Sequence, residues 1–228
     1  MKGREAIVLF DFDGTIADTG EMVLLSLLHV LDQVRPRVYT RGDLIDYLGL
    51  PLREQFARLA PEADADQLIR AYRAYQQTIF ASHLRPVAGM REVLEALYAR
   101  SVPMGIVTSR QRTSTEEGLR HLGWVHYFQT IVGFEDVRSH KPDPEPLYTA
   151  LMRLGWHDRR CAPDGSYVPE DGPVVFYVGD QPVDMEAARS AGVQAVLVGW
   201  SMARPEVLLG LEVDARLTEP RALLDLLP

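Results

Sequence analysis

Apolar positions along the chain fall into two patterns. AIVLF (6–10) is apolar throughout and runs into aspartates, and MGIVTS (104–109), TIVGF (130–134), VVFYVGD (174–180) and VQAVLVG (193–199) share its character. A short unbroken apolar run bounded by polar residues predicts a strand buried on both faces. Between these runs apolar residues recur at helical spacing. Met90, Val93, Leu94 and Leu97 follow Gly89, and Leu147, Leu151 and Leu154 precede Gly155, which is placed to close a helix. Strands alternating with helices predict an α/β fold, a Rossmann-like parallel-sheet core with helices on both faces.

The alternation lapses between residues 17 and 85, where no strand-like run occurs. Leu24, Leu27, Leu28, Leu31 and Val34 make one amphipathic stripe, and Leu44 with Leu48, then Leu52, Phe56 and Leu59, make two shorter ones. Leu68, Tyr72, Tyr75 and Ile79 make a fourth, and Thr40 with Asp43 forms a candidate capping pair. The pattern predicts a small all-helical cap inserted after the first strand. The core then comprises residues 1–16 and 86–228 and the cap residues 17–85, with hinges at Ala17–Gly20 and Arg85–Gly89. A bundle inserted at the C-terminal end of a strand lies above the edge where α/β sites form, in the place of a lid. Residues 157–173 are polar and rich in Pro and Gly, and read as a surface loop.

Composition narrows the function. The formal net charge of −8 disfavours a nucleic-acid or anionic-membrane partner, though it leaves room for a local basic pocket. Cys161 is the only cysteine, which excludes an internal disulfide framework and a Cys-rich zinc site. The first residues lack a signal peptide and no apolar run spans a bilayer, so a cytoplasmic protein, monomer or homodimer, is expected. Lys2 and Lys141 are the only lysines, so any chemistry that needs one must use one of them.

Four polar signals sit at predicted strand ends or in the loops that follow them. Asp11 and Asp13 follow the first strand, two residues apart, so an extended backbone points both carboxylates the same way. Such a pair tends to titrate unequally, which suits a nucleophile beside a general acid/base. Gly14 permits a tight turn that brings N–H groups near an anion, and Thr15 adds a hydroxyl; a solvated Asp-rich turn reads equally from these residues. GDQPVD (179–184) places Asp180 and Asp184 after a second buried strand, an oxygen-rich set suited to Mg²⁺ and phosphate. Asp180 could instead be a helix N-cap before Pro182. Thr108 and Ser109 end a third strand, where hydroxyls and N–H groups either hold phosphate oxygens or cap a helix. Lys141, before Pro142, is either a surface charge or a cation aimed at phosphate and carboxylate.

The order DxDGT, T-S, K-P, GDxxxD resembles the haloacid dehalogenase (HAD) superfamily of phosphohydrolases over nearly the whole chain, and the helical insert resembles that family's C1-type cap. The resemblance implies that Asp11 attacks phosphorus and that Asp13 protonates the leaving group and then activates water. It implies Mg²⁺ held by Asp11, the Asp13 carbonyl and Asp180, with Asp184 in support. Thr108, Ser109 and the backbone at Gly14 would bind phosphoryl oxygens, and Lys141 would balance charge. Arg110 stands where many relatives place Lys, a difference read as neutral. Asp13 argues against a true dehalogenase, and a cap without lysine argues against Schiff-base phosphonatase chemistry. YLGLPLREQF (47–56), EDVRSHKPDPEPL (135–147) and VLVGWS (196–201) resemble HAD-type inorganic pyrophosphatases and phosphoglycolate phosphatases. The expected substrate is therefore pyrophosphate or a small phosphate ester such as phosphoglycolate, with Arg53 as a speculative contact for its second anionic group. A phosphomutase of the β-phosphoglucomutase type and a catalytically silent regulatory protein are the alternatives.

Overall fold

The computed structural model describes residues 5–156 and 172–228. Lys2, Cys161 and nearly all of the expected 157–173 loop lie outside them. The chain opens with β1 (Ala6–Phe10), then a short β2 (Ala17–Asp18). Four helices follow: α1 (Gly20–Val34), α2 (Arg41–Leu44), α3 (Leu52–Leu59) and α4 (Ala65–His83). After β3 (Arg85–Pro86) come α5 (Met90–Ala99), β4 (Met104–Val107), α6 (Arg112–Leu122), β5 (Thr130–Val132) and α7 (Glu145–Arg153). The remainder is β6 (Val174–Gly179), α8 (Pro182–Ala191), β7 (Gln194–Val198), α9 (Pro205–Leu209) and β8 (Ala215–Leu217).

The main sheet has the order β5-β4-β1-β6-β7-β8, and every pairing in it is parallel. Successive residues of its strands feed opposite faces. Val8 and Phe10 of β1, Phe176 and Val178 of β6, and Val196 and Val198 of β7 join one apolar cluster. Ile7, Leu9, Val175, Tyr177, Ala195 and Leu197 join the other. Burial on both faces is why these strands read as unbroken apolar runs. The chain order reverses around β1, which pairs with β4 on one side and β6 on the other. A crevice opens beyond the strand ends at such a reversal.

The helices of residues 20–83 pack around a third apolar cluster that includes Leu24, Leu27, Leu31, Phe56, Leu59, Leu68 and Tyr72. The capping pair forms: Asp43 Oδ2 accepts from Thr40 N at 2.8 Å. The region is not purely helical at its root. β2 and β3 pair antiparallel, Ala17 with Pro86 and Asp18 with Arg85, tying the two connecting segments together. Met22, Phe80 and Leu84 leave the helical cluster and pack into the sheet's own core. No helix among the described residues is long and apolar enough to cross a membrane.

Candidate active site

The site lies where β1, β4 and β6 end. The Asp11 N–H continues the sheet by donating to Val178 O at 2.8 Å, so the Asp11 carboxylate is fixed by the strand register. Phe12 is turned into the apolar core, which leaves Asp11 and Asp13 to face the same cavity, as the two-residue period demands. The chain then turns sharply, with Ala17 N donating to Phe12 O at 3.0 Å and Gly14 N to Ala17 O at 2.8 Å. Gly14 has φ +75°, and a Cβ there would stand 2.5 Å from Asp180 Oδ2. Only glycine fits both the left-handed backbone and the approach of that carboxylate.

Lys141 is 7% exposed and lies deep in this site. Its Nζ donates to Asp11 Oδ1 at 3.0 Å, to Asp184 Oδ1 at 2.6 Å and to the Tyr177 hydroxyl at 3.1 Å. The Tyr177 hydroxyl in turn donates to Val107 O at 2.9 Å. Lys141 is therefore a buried bracket across β1, β6 and α8, and the surface-charge reading is corrected. Burial acts to lower the Lys141 pKa, but Asp11 and Asp184 outweigh it and hold the ammonium well above its usual range.

Of the two readings of Asp180, the helix N-cap is set aside, because Asp184 makes the cap bonds. Helix α8 is capped by Asp184, whose Oδ2 accepts from Asp180 N at 3.2 Å and Gln181 N at 3.0 Å. With Oδ1 taken by Lys141, both Asp184 oxygens are engaged within the protein. Asp180 is no N-cap: Gln181 precedes the helix, and the Asp180 side chain faces the cavity. Its Oδ2 accepts from Gln181 Nε2 at 2.6 Å and Ser201 Oγ at 3.0 Å. Its Oδ1 is buried with no partner among the described residues.

An orphaned buried carboxylate oxygen is costly unless a ligand completes it. Oxygens of Asp11, Asp180 and Asp184 lie within 4.8 Å of one another. Three carboxylates against one ammonium leave an electronegative pocket. Burial, then Asp184 and Asp11, push Asp180 well above the usual carboxylate range. Burial likewise raises Asp11 to about 7, with Asp184 and Asp13 adding to it, despite the opposing pull of Lys141. Such a set fits a hard divalent cation, with Asp11 and Asp180 offering the available oxygens.

Thr108 and Ser109 line the same cavity at the end of β4. Neither hydroxyl caps α6, which starts after Gln111. Thr108 Oγ1 accepts from Arg110 N at 3.2 Å, while Ser109 Oγ is buried without a partner among the described residues. Arg53 also borders the cavity, but pairs with Asp66 at an exposed position. Arg73 borders it on the same wall with no ionic partner among the described residues. The cavity measures about 970 Å³ and lies between the strand ends and the faces of α3 and α4.

Four residues that bond the site's carboxylates escaped the sequence reading. Tyr177 was taken for an apolar strand position, and Gln181 and Ser201, which hold Asp180, carried no signal of their own. Arg110, read as neutral, is buried and donates from Nη1 to Asp13 Oδ1 at 3.1 Å. Its place beside Thr108 and Ser109 was the available clue.

The family model for haloacid dehalogenase-like hydrolases matches residues 8–198. The pyrophosphatase PpaX of Bacillus velezensis is 33% identical over 221 residues, covering 97% of this chain and 95% of that protein. Among solved structures, one described as a haloacid dehalogenase-like hydrolase from Bacteroides fragilis superposes with a TM-score of 0.80 at 27% identity, covering 96% of this chain and 100% of that one. A structure described as a phosphoglycolate phosphatase from Lactobacillus plantarum shares the fold, with a TM-score of 0.77 at 22% identity, covering 98% of this chain and 99% of its own.

Proposed function

The chain belongs to the haloacid dehalogenase-like hydrolases, and on that premise we propose that it hydrolyses a small phosphate ester or anhydride through a phosphorylated Asp11. The observation that carries this reading is the buried trio of Lys141, Asp11 and Asp184 beside an Asp180 oxygen with no partner among the described residues.

Asp11 attacks phosphorus, and the bond to the leaving oxygen breaks as Asp13 gives that oxygen a proton. Asp13, now a carboxylate, takes a proton from water. The water attacks the acyl phosphate, releasing inorganic phosphate and restoring Asp11. Lys141 favours the ionised form of Asp11 and orients it through the 3.0 Å contact. Ser109 Oγ and the N–H groups following Asp11 receive the phosphoryl oxygens. Asp11 and Asp180, with the Asp13 carbonyl, would hold Mg²⁺, while Asp184 supports them through Lys141 and the α8 N-terminus. When bound, the ion neutralises charge on the phosphoryl group and the carboxylates.

Residues 17–85 act as a cap over this chemistry, with the β2–β3 ribbon at their root. The pyrophosphatase relative favours pyrophosphate, with phosphoglycolate the second choice. Either substrate carries an anionic group beyond the reacting phosphoryl, and Arg53 and Arg73 on the cap wall are the cations placed to meet it. The test is phosphate release with Mg²⁺ from a panel of pyrophosphate, phosphoglycolate, sugar phosphates and nucleotides. One substrate well above the rest, silent in Asp11→Asn and after EDTA, is expected; full activity in either control would refute the reading.

A further inference from the structure

Arg110 is embedded more completely than a charge on a loop requires. Its guanidinium has side-chain exposure of 8% and uses every nitrogen. Nη1 donates to Asp13 Oδ1 at 3.1 Å, Nε to Ser114 Oγ at 2.9 Å and Nη2 to Gln76 Oε1 at 3.0 Å, while its centre lies 5.9 Å from the Phe12 ring centroid. Gln76 belongs to α4, in the helical region. Both polar atoms of its amide are engaged, since Nε2 donates to the Tyr72 hydroxyl at 2.8 Å. Tyr72 in turn is anchored in the apolar cluster of the helical region. An unbroken line of donors and acceptors therefore runs from the helical cluster to the carboxylate of Asp13. A buried glutamine amide is costly when unpaired, so α4 is best satisfied when it sits on Arg110.

We infer that Arg110 and Gln76 are positioning residues that set the Asp13 carboxylate in its proton-transferring orientation only while α4 is seated on the core. The inference rests on the proposed reaction and deepens it: cap seating and acid catalysis become one event. The planar guanidinium fork suits this task because it presents fixed donors to both partners at once, which an ammonium cannot do. A mere tether between α4 and the core would affect docking of any substrate equally. A positioning strut affects proton delivery, so its loss is felt most where the leaving oxygen needs a proton.

The experiment compares an alkyl phosphate, whose alkoxide leaves poorly, with p-nitrophenyl phosphate, whose phenolate leaves without one. Gln76→Met and Arg110→Lys are expected to lower kcat for the alkyl phosphate by at least about 10-fold, within the range general acid catalysis supplies. The loss for p-nitrophenyl phosphate is expected to stay below about 3-fold, and Gln76→Glu, which keeps an acceptor for Arg110, should restore most of the difference. Equal losses on both esters, no loss, or a Gln76→Glu variant as impaired as Gln76→Met would overturn the inference. A wild-type protein inert on both esters and on pyrophosphate and phosphoglycolate would instead overturn the phosphohydrolase reading, and this inference with it.

Discussion

Lys141→Met removes the ammonium that contacts Asp11 and Asp184, at 3.0 Å and 2.6 Å. All three groups are buried, at 7%, 5% and 0% exposure, so water cannot take over the solvation. Removing one partner of a buried pair costs about 3–5 kcal/mol, because the other charge stays behind. That is a large share of a typical total of about 5–15 kcal/mol, and at about 2–4 °C per kcal/mol it lowers the melting temperature by roughly 6–20 °C. The loss depends on pH. Asp11 already sits near 7, above its unfolded value of 3.8, and losing Lys141 moves it further up. The folded state then binds more protons than the unfolded one between those values, so its stability falls as pH rises through that window. The metal-free variant should therefore melt further below its parent at about pH 8 than at about pH 6. Adding Asp184→Asn removes the uncompensated charge but keeps an acceptor for the α8 N–H groups, and should recover at least about half of the loss. Thermal denaturation followed by circular dichroism reads all of this. A Lys141→Met melting point within about 2 °C of the parent at about pH 8, or a double variant less stable than the single, would refute the reasoning.

Further expectations concern separate parts of the site. Gly14→Ala forces a side chain onto φ +75° and toward Asp180 Oδ2, 2.5 Å from the new Cβ. The Mg²⁺ concentration for half-maximal phosphate release should rise by at least about 10-fold, and an unchanged metal titration would argue against Asp180 as a ligand. Arg73→Ala should raise KM for the preferred substrate more than Arg53→Ala does, since Asp66 already engages Arg53; the reverse order in steady-state kinetics would assign the second anionic group to Arg53. Burial raises Asp136, but the Arg153 hydrogen bond, the Gly133 N–H and Arg112 outweigh it and hold the carboxyl below its usual range. A depressed pKa gives stability that is present above the unfolded value and lost as pH falls through the folded one. Asp136→Asn should thus cost about 1.5 kcal/mol near neutrality, and the cost should shrink as pH falls below the unfolded carboxylate value in denaturant titrations; a cost as large in strong acid as at neutrality would contradict the assignment.

The parallel core was legible because its strands are covered on both faces, which leaves apolar runs that end abruptly in polar residues. Asp11, Asp13, Thr108 and Asp180 were visible for the same reason, since a polar group just after such a run sits at the sheet's edge, whereas Lys141 stood out as a rare lysine before Pro142. The β2–β3 ribbon was not, since Ala17–Asp18 and Arg85–Pro86 are too short to carry a period. β8 (Ala215–Leu217) was hidden likewise, with Arg216 interrupting its apolar character. TIVGF was expected to be strand to its end, but only Thr130–Val132 pairs, and a tight turn of helix begins at Phe134. Arg110, Gln76 and Tyr177 stayed hidden because their meaning lies in partners remote in sequence. Arg110 meets Asp13 across 97 positions and Gln76 across 34. No local pattern distinguishes such a polar residue from an ordinary one on a helix or strand.

The central claim is that phosphate leaves by way of Asp11 and not by direct attack of water. The stereochemical course at phosphorus tests it most directly, using a substrate whose transferred phosphoryl group is made chiral with oxygen isotopes and sulfur. Two successive in-line displacements, first by Asp11 and then by water, predict retention of configuration. Inversion would mean a single displacement by water and would contradict the account.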